Sequence, residues 1–258
     1  MREKISSTIQ GSDRFQGNTE VLERFHNALT CGDREGWARY ICECKGVMVD
    51  LRGMFLNGYD LSGWDLEGVS LLNSTFVGSN LQDVNFRGAE LTGVNMENAD
   101  LTGADFCSAL LYGVKMGGAR LINVRLCNAK LITANLERAL LSASDIHDAD
   151  FTRTDLRYAK MYDIKGEGAI FKGSRMNNME LYDCDLKNTD FSGVDGRFIN
   201  CKKCNFSGAD LHGSNFARSA FVNVQMKRTD LSLAYFHDSH LEALSLDGAN
   251  LKGCSISH

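Results

Sequence analysis

Every fifth residue from Leu51 to Ile256 is large and apolar, and this spacing decides what the chain can fold into. Of the 42 positions so defined, 39 hold Leu, Phe, Met or Ile; the exceptions are Gly166, Gly196 and Cys201. A smaller side chain sits two places earlier, as in Ala89, Val94, Ala99, Ala104, Ala109 and onward to Ala249. Asp or Asn often stands just before the large residue (Asp60, Asp65, Asn80, Asn85, Asp100, Asp105, Asp150, Asp155), and Gly recurs two places after it (Gly53, Gly58, Gly63, Gly68, Gly88, Gly93, Gly103). A period of five is neither the 3.6 of a helix nor the 2 of a long strand. Alternate residues of extended backbone share a face, so the large anchor and the small residue before it both point inward. The other three face solvent or turn, and Gly and Asn suit a backbone that bends every five residues. The result is a flat-sided coil. The chain contains no proline, so nothing in it forces a break in a backbone hydrogen-bond ladder.

Units such as Ala99-Asp100-Leu101-Thr102-Gly103 and Ala104-Asp105-Phe106 resemble the pentapeptide-repeat proteins, whose consensus is A(D/N)LXX. The resemblance covers about four-fifths of the chain. It implies an all-β solenoid, a right-handed quadrilateral β-helix of about ten coils with 20 residues each. At the roughly 4.8 Å spacing of adjacent strands such a rod is about 50 Å long. Stacking by 20 residues predicts an interior ladder of Leu111, Leu131, Phe151, Phe171, Phe191 and Leu211, a second containing Phe86 and Phe106, and a third containing Phe216 and Phe236. Gly166 and Gly196 are expected to leave voids or distorted corners. Lys165-Gly166-Glu167-Gly168 is then the weakest stretch, either a tolerated defect or a bend.

The repeat divides the chain into a flexible polar start (1–18), a helical cap (19–48) and the β-helix (49–258). Val21, Leu22, Phe25 and Leu29 share one helical face. A second short helix from Arg34 to Cys44, capped by Asp33, presents Trp37, Tyr40 and Ile41. The first coil places Val49, Met54, Tyr59 and Trp64 where small residues otherwise sit, which fits packing against those helices; a partner-binding arm is the competing reading. The repeat ends in bare coils, and unpaired strand edges invite association. A homodimer through Leu241, Leu246, Leu251 and Ile256 is therefore expected.

Catalytic chemistry is absent from the pattern. No nucleophile elbow, phosphate loop or metalloprotease motif is present, and flat faces with short turns offer no water-excluded cleft. The chain reads as a non-enzyme with no cofactor and no metal site. Cys201-Lys202-Lys203-Cys204 has the form of a redox or zinc motif, but the frame turns both thiols into the core, with Cys184 stacked beneath Cys204. Cys107 and Cys127, also 20 apart, are expected to face outward as a pair open to oxidation. The nine Cys lack a disulfide framework and the start MREKISSTIQGSDRF has no apolar signal core, which points to a reduced cytoplasmic protein. Ser6-Ser7-Thr8 is also compatible with export as a bacterial effector. No apolar run is long enough for a membrane span.

The net charge is −5, which gives no basic footprint for nucleic acid. Charge nevertheless runs in bands at the position before each anchor: Asp100 and Asp105; Lys115, Arg120, Arg125 and Lys130; Asp145, Asp150 and Asp155; Lys160, Lys165 and Arg175; Glu180, Asp185, Asp190 and Asp195. Four units per coil make each run a ring, and lateral pairing between rings competes with use in binding. Tyr162 and Tyr182 are expected to stack one coil apart with Lys202 continuing the column, a natural interface group. The expected function is a protein-interaction scaffold with a protein partner, one version of which is a secreted bacterial effector. The alternative implied by the resemblance is a DNA mimic that enters the DNA groove of gyrase or topoisomerase IV. The repeat region departs from that pattern with 26 acidic and 21 basic residues, no loop insertion and a helical N-terminal segment.

Overall fold

The computed structural model describes residues 18–44 and 46–256; the reading of a flexible start falls on residues 1–17, outside the described residues. Two helices precede the rod, α1 (Thr19–Cys31) and α2 (Arg34–Glu43). Asn18 caps α1, its side-chain oxygen accepting from the amide of Glu20 at 2.9 Å. Asp33 caps α2 through the amide of Gly36 at 2.8 Å. Between them Gly32 adopts φ 67°, the left-handed conformation that ends a helix at little cost for glycine.

From Asp50 onward the chain is a parallel solenoid in which each bridging residue pairs with the one 20 positions later, from Asp50 with Ser70 to Tyr235 with Ser255. The pentapeptide frame never slips. Most walls contribute one paired residue, the one before the anchor, because a turn begins directly after it. The main chain closes most of these turns, as in Val94 N–H to Leu91 O at 3.1 Å. On one wall the backbone stays extended for three residues and forms strands β1 (Arg120–Ile122), β2 (Leu140–Ser142), β3 (Lys160–Tyr162), β4 (Glu180–Tyr182), β5 (Asn200–Lys202), β6 (Ala220–Val222) and β7 (His240–Glu242), consecutive neighbours in one parallel sheet. This sheet accounts for about six turns against the ten or so expected, since below Arg120 the same register is carried by single bridges alone.

The corner after each of these strands opens, and after β1 and β3 a buried side chain stands in for the missing turn bond. The Ser144 hydroxyl accepts from Val124 N–H at 3.2 Å and donates to Leu121 O at 3.0 Å. Cys184 has the same place two coils on, donating to Met161 O at 3.3 Å. Cys184, Cys201 and Cys204 are all buried, as the frame requires.

Anchors and small residues fill the interior with almost no exposure. Phe151, Phe171 and Phe191 stack at 4.9 and 4.7 Å, Phe86 on Phe106 at 5.0 Å, and Phe216 on Phe236 at 5.3 Å. At the two missing anchors the expected voids are closed by neighbours. A Cβ on Gly166 would lie 2.8 Å from Leu186 Cδ2, and one on Gly196 would lie 2.7 Å from Phe216 Cε1. No bend follows either, because Gly166 N–H still bonds Asp185 O at 2.8 Å and Gly196 N–H bonds Asn215 O at 2.8 Å.

The helices seal the first coil. Phe25 meets Trp37 at 4.9 Å and Trp64 at 5.4 Å, both edge-on. Trp37 Nε1 donates to Asp65 O at 2.7 Å and Arg34 to Ser62 O at 2.7 Å. The oversized Met54 and Trp64 are therefore buried by the cap.

Candidate interaction surface

Where Asp or Asn stands before an anchor it has two jobs. Its side-chain oxygen accepts the amide two residues on, as in Asp100 to Thr102 (3.1 Å), Asn135 to Glu137 (2.9 Å) and Asp210 to His212 (2.8 Å). This Asx-type bond fixes the corner and explains why Asp and Asn interchange there. It also holds the carboxylates ionised. Asp230 lies below the ordinary carboxylate range chiefly because Ser232 hydrogen-bonds it. At Asp155 burial pushes the other way, but hydrogen bonds from Arg157 and the charges of Arg175 and Arg157 outweigh it and the net shift is downward.

Most of the basic residues in the bands pair with a carboxylate of a neighbouring coil. Arg120 reaches Asp100 (3.8 Å), Arg125 reaches Asp105 (2.8 Å), Lys130 reaches Asp150 (3.9 Å), Lys160 reaches Glu180 (3.1 Å) and Arg175 reaches Asp155 (2.7 Å). Lys115 is exposed between Asn95 and Asn135. One column keeps its charge: Asp190, Asp210 and Asp230 occupy successive coils in register.

Tyr162 and Tyr182 are in register in adjacent strands, followed by Lys202. Their rings do not stack, because each hydroxyl has a partner elsewhere. Tyr162 donates to Glu180, which draws that carboxyl below its usual range. Tyr182 accepts from Lys203 Nζ at 2.9 Å, and the ammonium lies 5.2 Å from its ring centroid. Tyr182 is 39% exposed and Lys202 is exposed. Further exposed apolar groups escaped the sequence reading: Tyr158 at 45%, Phe198 at 47%, Leu233 at 60% and Tyr235 at 40%. Three of them, Tyr158, Phe198 and Leu233, occupy the corner position with φ near 60°, where Gly or Asn is expected, so a bulky side chain there was the available signal.

Eight copies of the pentapeptide-repeat family profile match residues 79–118, 119–157, 167–195 and 198–232, more than half of the chain. The chain belongs to the pentapeptide-repeat family. No curated protein matches it in sequence. Among solved structures, HetL, a pentapeptide repeat protein involved in heterocyst differentiation regulation in the cyanobacterium Nostoc sp. strain PCC 7120, is 22% identical over 84% of this chain and 92% of its own, with a TM-score of 0.45. A pentapeptide repeat protein of the Arabidopsis thaliana thylakoid lumen is 41% identical over 40% of this chain and 71% of its own, at a TM-score of 0.39. QnrB1, a plasmid-mediated fluoroquinolone resistance protein, is 16% identical over 75% and 90%, also at 0.39.

Two further places in this pentapeptide-repeat rod differ in exposure from its regular coils. At the C-terminal edge the anchors Leu241 and Leu246 are partly exposed, and Leu251 and Ile256 are 45% and 56% exposed. On the side wall, Cys107 and Cys127 are not open to solvent as expected but 5% and 7% exposed. They are short side chains in a column whose longer neighbours close over them. Among the described residues no helix is long and apolar enough to cross a membrane.

Proposed function

We propose that this pentapeptide-repeat protein is a non-enzymatic scaffold that binds a protein partner along the side of its rod. The carrying observation is the pairing of charge between coils. A rod most of whose basic rings are joined to neighbouring carboxylates presents a largely compensated surface, on which aromatic and aliphatic groups stand exposed: Tyr158, Tyr182, Phe198, Leu233 and Tyr235. Aromatic groups with adjacent cations, such as Tyr182 with Lys203 and Phe198 with Arg218, have the composition of protein interfaces. The partner acts on these groups and on Lys202. The exposed C-terminal anchors pair with a second copy.

The alternative, mimicry of DNA toward gyrase or topoisomerase IV, has one feature in its favour, the acidic column Asp190, Asp210 and Asp230. A duplex carries a charge every 1.7 Å or so along its axis, far denser than one carboxylate per coil in a single column. The deciding experiment is DNA supercoiling by purified gyrase as this protein is titrated in, with and without a quinolone. No change is expected from the folded rod; inhibition or drug protection at low micromolar protein makes the rod a DNA mimic instead.

A further inference from the structure

One column of outward side chains holds metal-ligand chemistry in consecutive coils: Cys107, Cys127 and His147, each 20 residues after the last. The donor atoms of Cys127, His147 and the adjoining Asp145 all lie within 4.8 Å of one another. His147 Nδ1 is 2.6 Å from Asp145 Oδ1, and the Cys127 donor closes the group from the coil below. The backbone sets this geometry. Asp145 Oδ1 also accepts the His147 amide, which fixes the carboxylate and aims the ring into the column, while the ladder places the two thiols one coil apart.

We propose that Cys127, Asp145 and His147 bind a divalent ion of the zinc class, with the fourth position left to water. Bonds of about 2.0–2.3 Å to N, O and S place tetrahedral donor atoms roughly 3.3–3.8 Å apart. The present spacing closes to that by side-chain rotation on a fixed ladder. A thiolate, an imidazole and a carboxylate suit zinc and cobalt and disfavour magnesium or calcium, which take oxygen donors. The thiol proton leaves to solvent as the ion enters. Cys127 is buried while the side chain of His147 is 46% exposed. An open depression of about 550 Å³ beside His147, walled by Asp148, Glu167 and Asp185, supplies an acidic approach. The cations in this part of the wall are Arg125, drawn away to Asp105 at 2.8 Å, and Lys165, in register with Asp145. Cys127 and His147 occupy the same place in two successive coils, and an ion there clamps those coils together without touching the core.

The test uses the full chain, reduced and freed of metal, titrated with Co²⁺ and then Zn²⁺. One equivalent of Co²⁺ is expected to give tetrahedral d–d bands and a thiolate charge-transfer band, both removed by one equivalent of Zn²⁺. His147→Ala, at a partly exposed site, is expected to keep the β-type circular dichroism spectrum and to weaken Co²⁺ binding at least tenfold. Cys127→Ser is expected to lose thiolate intensity, whereas Cys42→Ser, on exposed α2, leaves the spectrum unchanged. Absence of a tetrahedral thiolate spectrum in the wild-type chain overturns the proposal. So does a spectrum and affinity unaltered in folded His147→Ala.

Discussion

Asp155 shows how one residue type can serve the corner and the surface together. Its carboxylate accepts Arg157 Nε at 2.8 Å and Arg175 at 2.7 Å, and its side chain is 11% exposed. The folded carboxyl titrates below the ordinary 3.8, so the pairing stabilises the rod fully above that value and is lost as pH falls through the lower folded value. Asp50, Asp100, Asp105, Asp145, Asp195 and Asp230 shift the same way. Thermal melts are therefore expected to be flat from neutral pH to about pH 5 and to drop steeply below the ordinary carboxylate range. Asp155→Asn retains an oxygen for the Arg157 amide but loses the two arginines. We expect it to cost about 1 kcal/mol at neutral pH and to reduce the acid-limb slope; Asp155→Ala loses the corner bond as well and costs more. An equal effect of both variants contradicts the corner role. The frame marked Asp and Asn as outward residues, yet the accepted amide was not legible, because a side chain's acceptor depends on φ and ψ at the corner and not on spacing. The same limit hid the burial of Cys107 and Cys127: a residue can point outward and still be covered by longer neighbours.

At the scale of elements, the anchors could be read directly from the period, and their stacks from the 20-residue coil that the family resemblance implies, which admits only one register. The two glycine anchors could not. Leu186 and Ile146 lean into the space at Gly166, and Phe216 and Ile199 into that at Gly196, so interdigitation repairs what the pattern lacks. Restoring an anchor by substitution then overpacks the core. Gly166→Ala meets flexible aliphatic ends, at 2.8 Å from Leu186 Cδ2, whereas Gly196→Ala meets a ring at 2.7 Å. A ring carried by the stack with Phe236 at 5.3 Å yields less readily than a leucine methyl. We expect Gly196→Ala to destabilise by about 1–3 kcal/mol and Gly166→Ala by less, as read from the midpoints of urea unfolding. Stabilisation by Gly196→Ala contradicts the filled site and indicates a void. The helical cap was legible for a related reason. Oversized Met54 and Trp64 in small positions need a cover, and the apolar face of α1 with Trp37 of α2 supplies it.

At the scale of the whole molecule the two ends of the described rod contrast. At the first coil Phe25, Trp37 and Trp64 close the interior with three aromatic rings, and Trp64 is only 4% exposed. At the last coils Leu241 and Leu246 are partly open, Leu251 and Ile256 about half open, and Cys254 is partly exposed among them. Their exposure lays open the cross-section of the core at this edge of the described rod. A second copy offers a matching cross-section through a two-fold axis, the commonest closed symmetry for such contacts. Light scattering at tens of micromolar is expected to give the mass of a dimer. Leu251→Asp and Ile256→Asp, each placing a charge in that contact, are expected to shift it to monomer with the β-type spectrum unchanged. A wild-type monomer at that concentration removes the dimer and leaves this edge to a different partner. A dimer that survives both charges places the contact on the side walls, where it would compete with the exposed Tyr182 and Phe198 for the same surface.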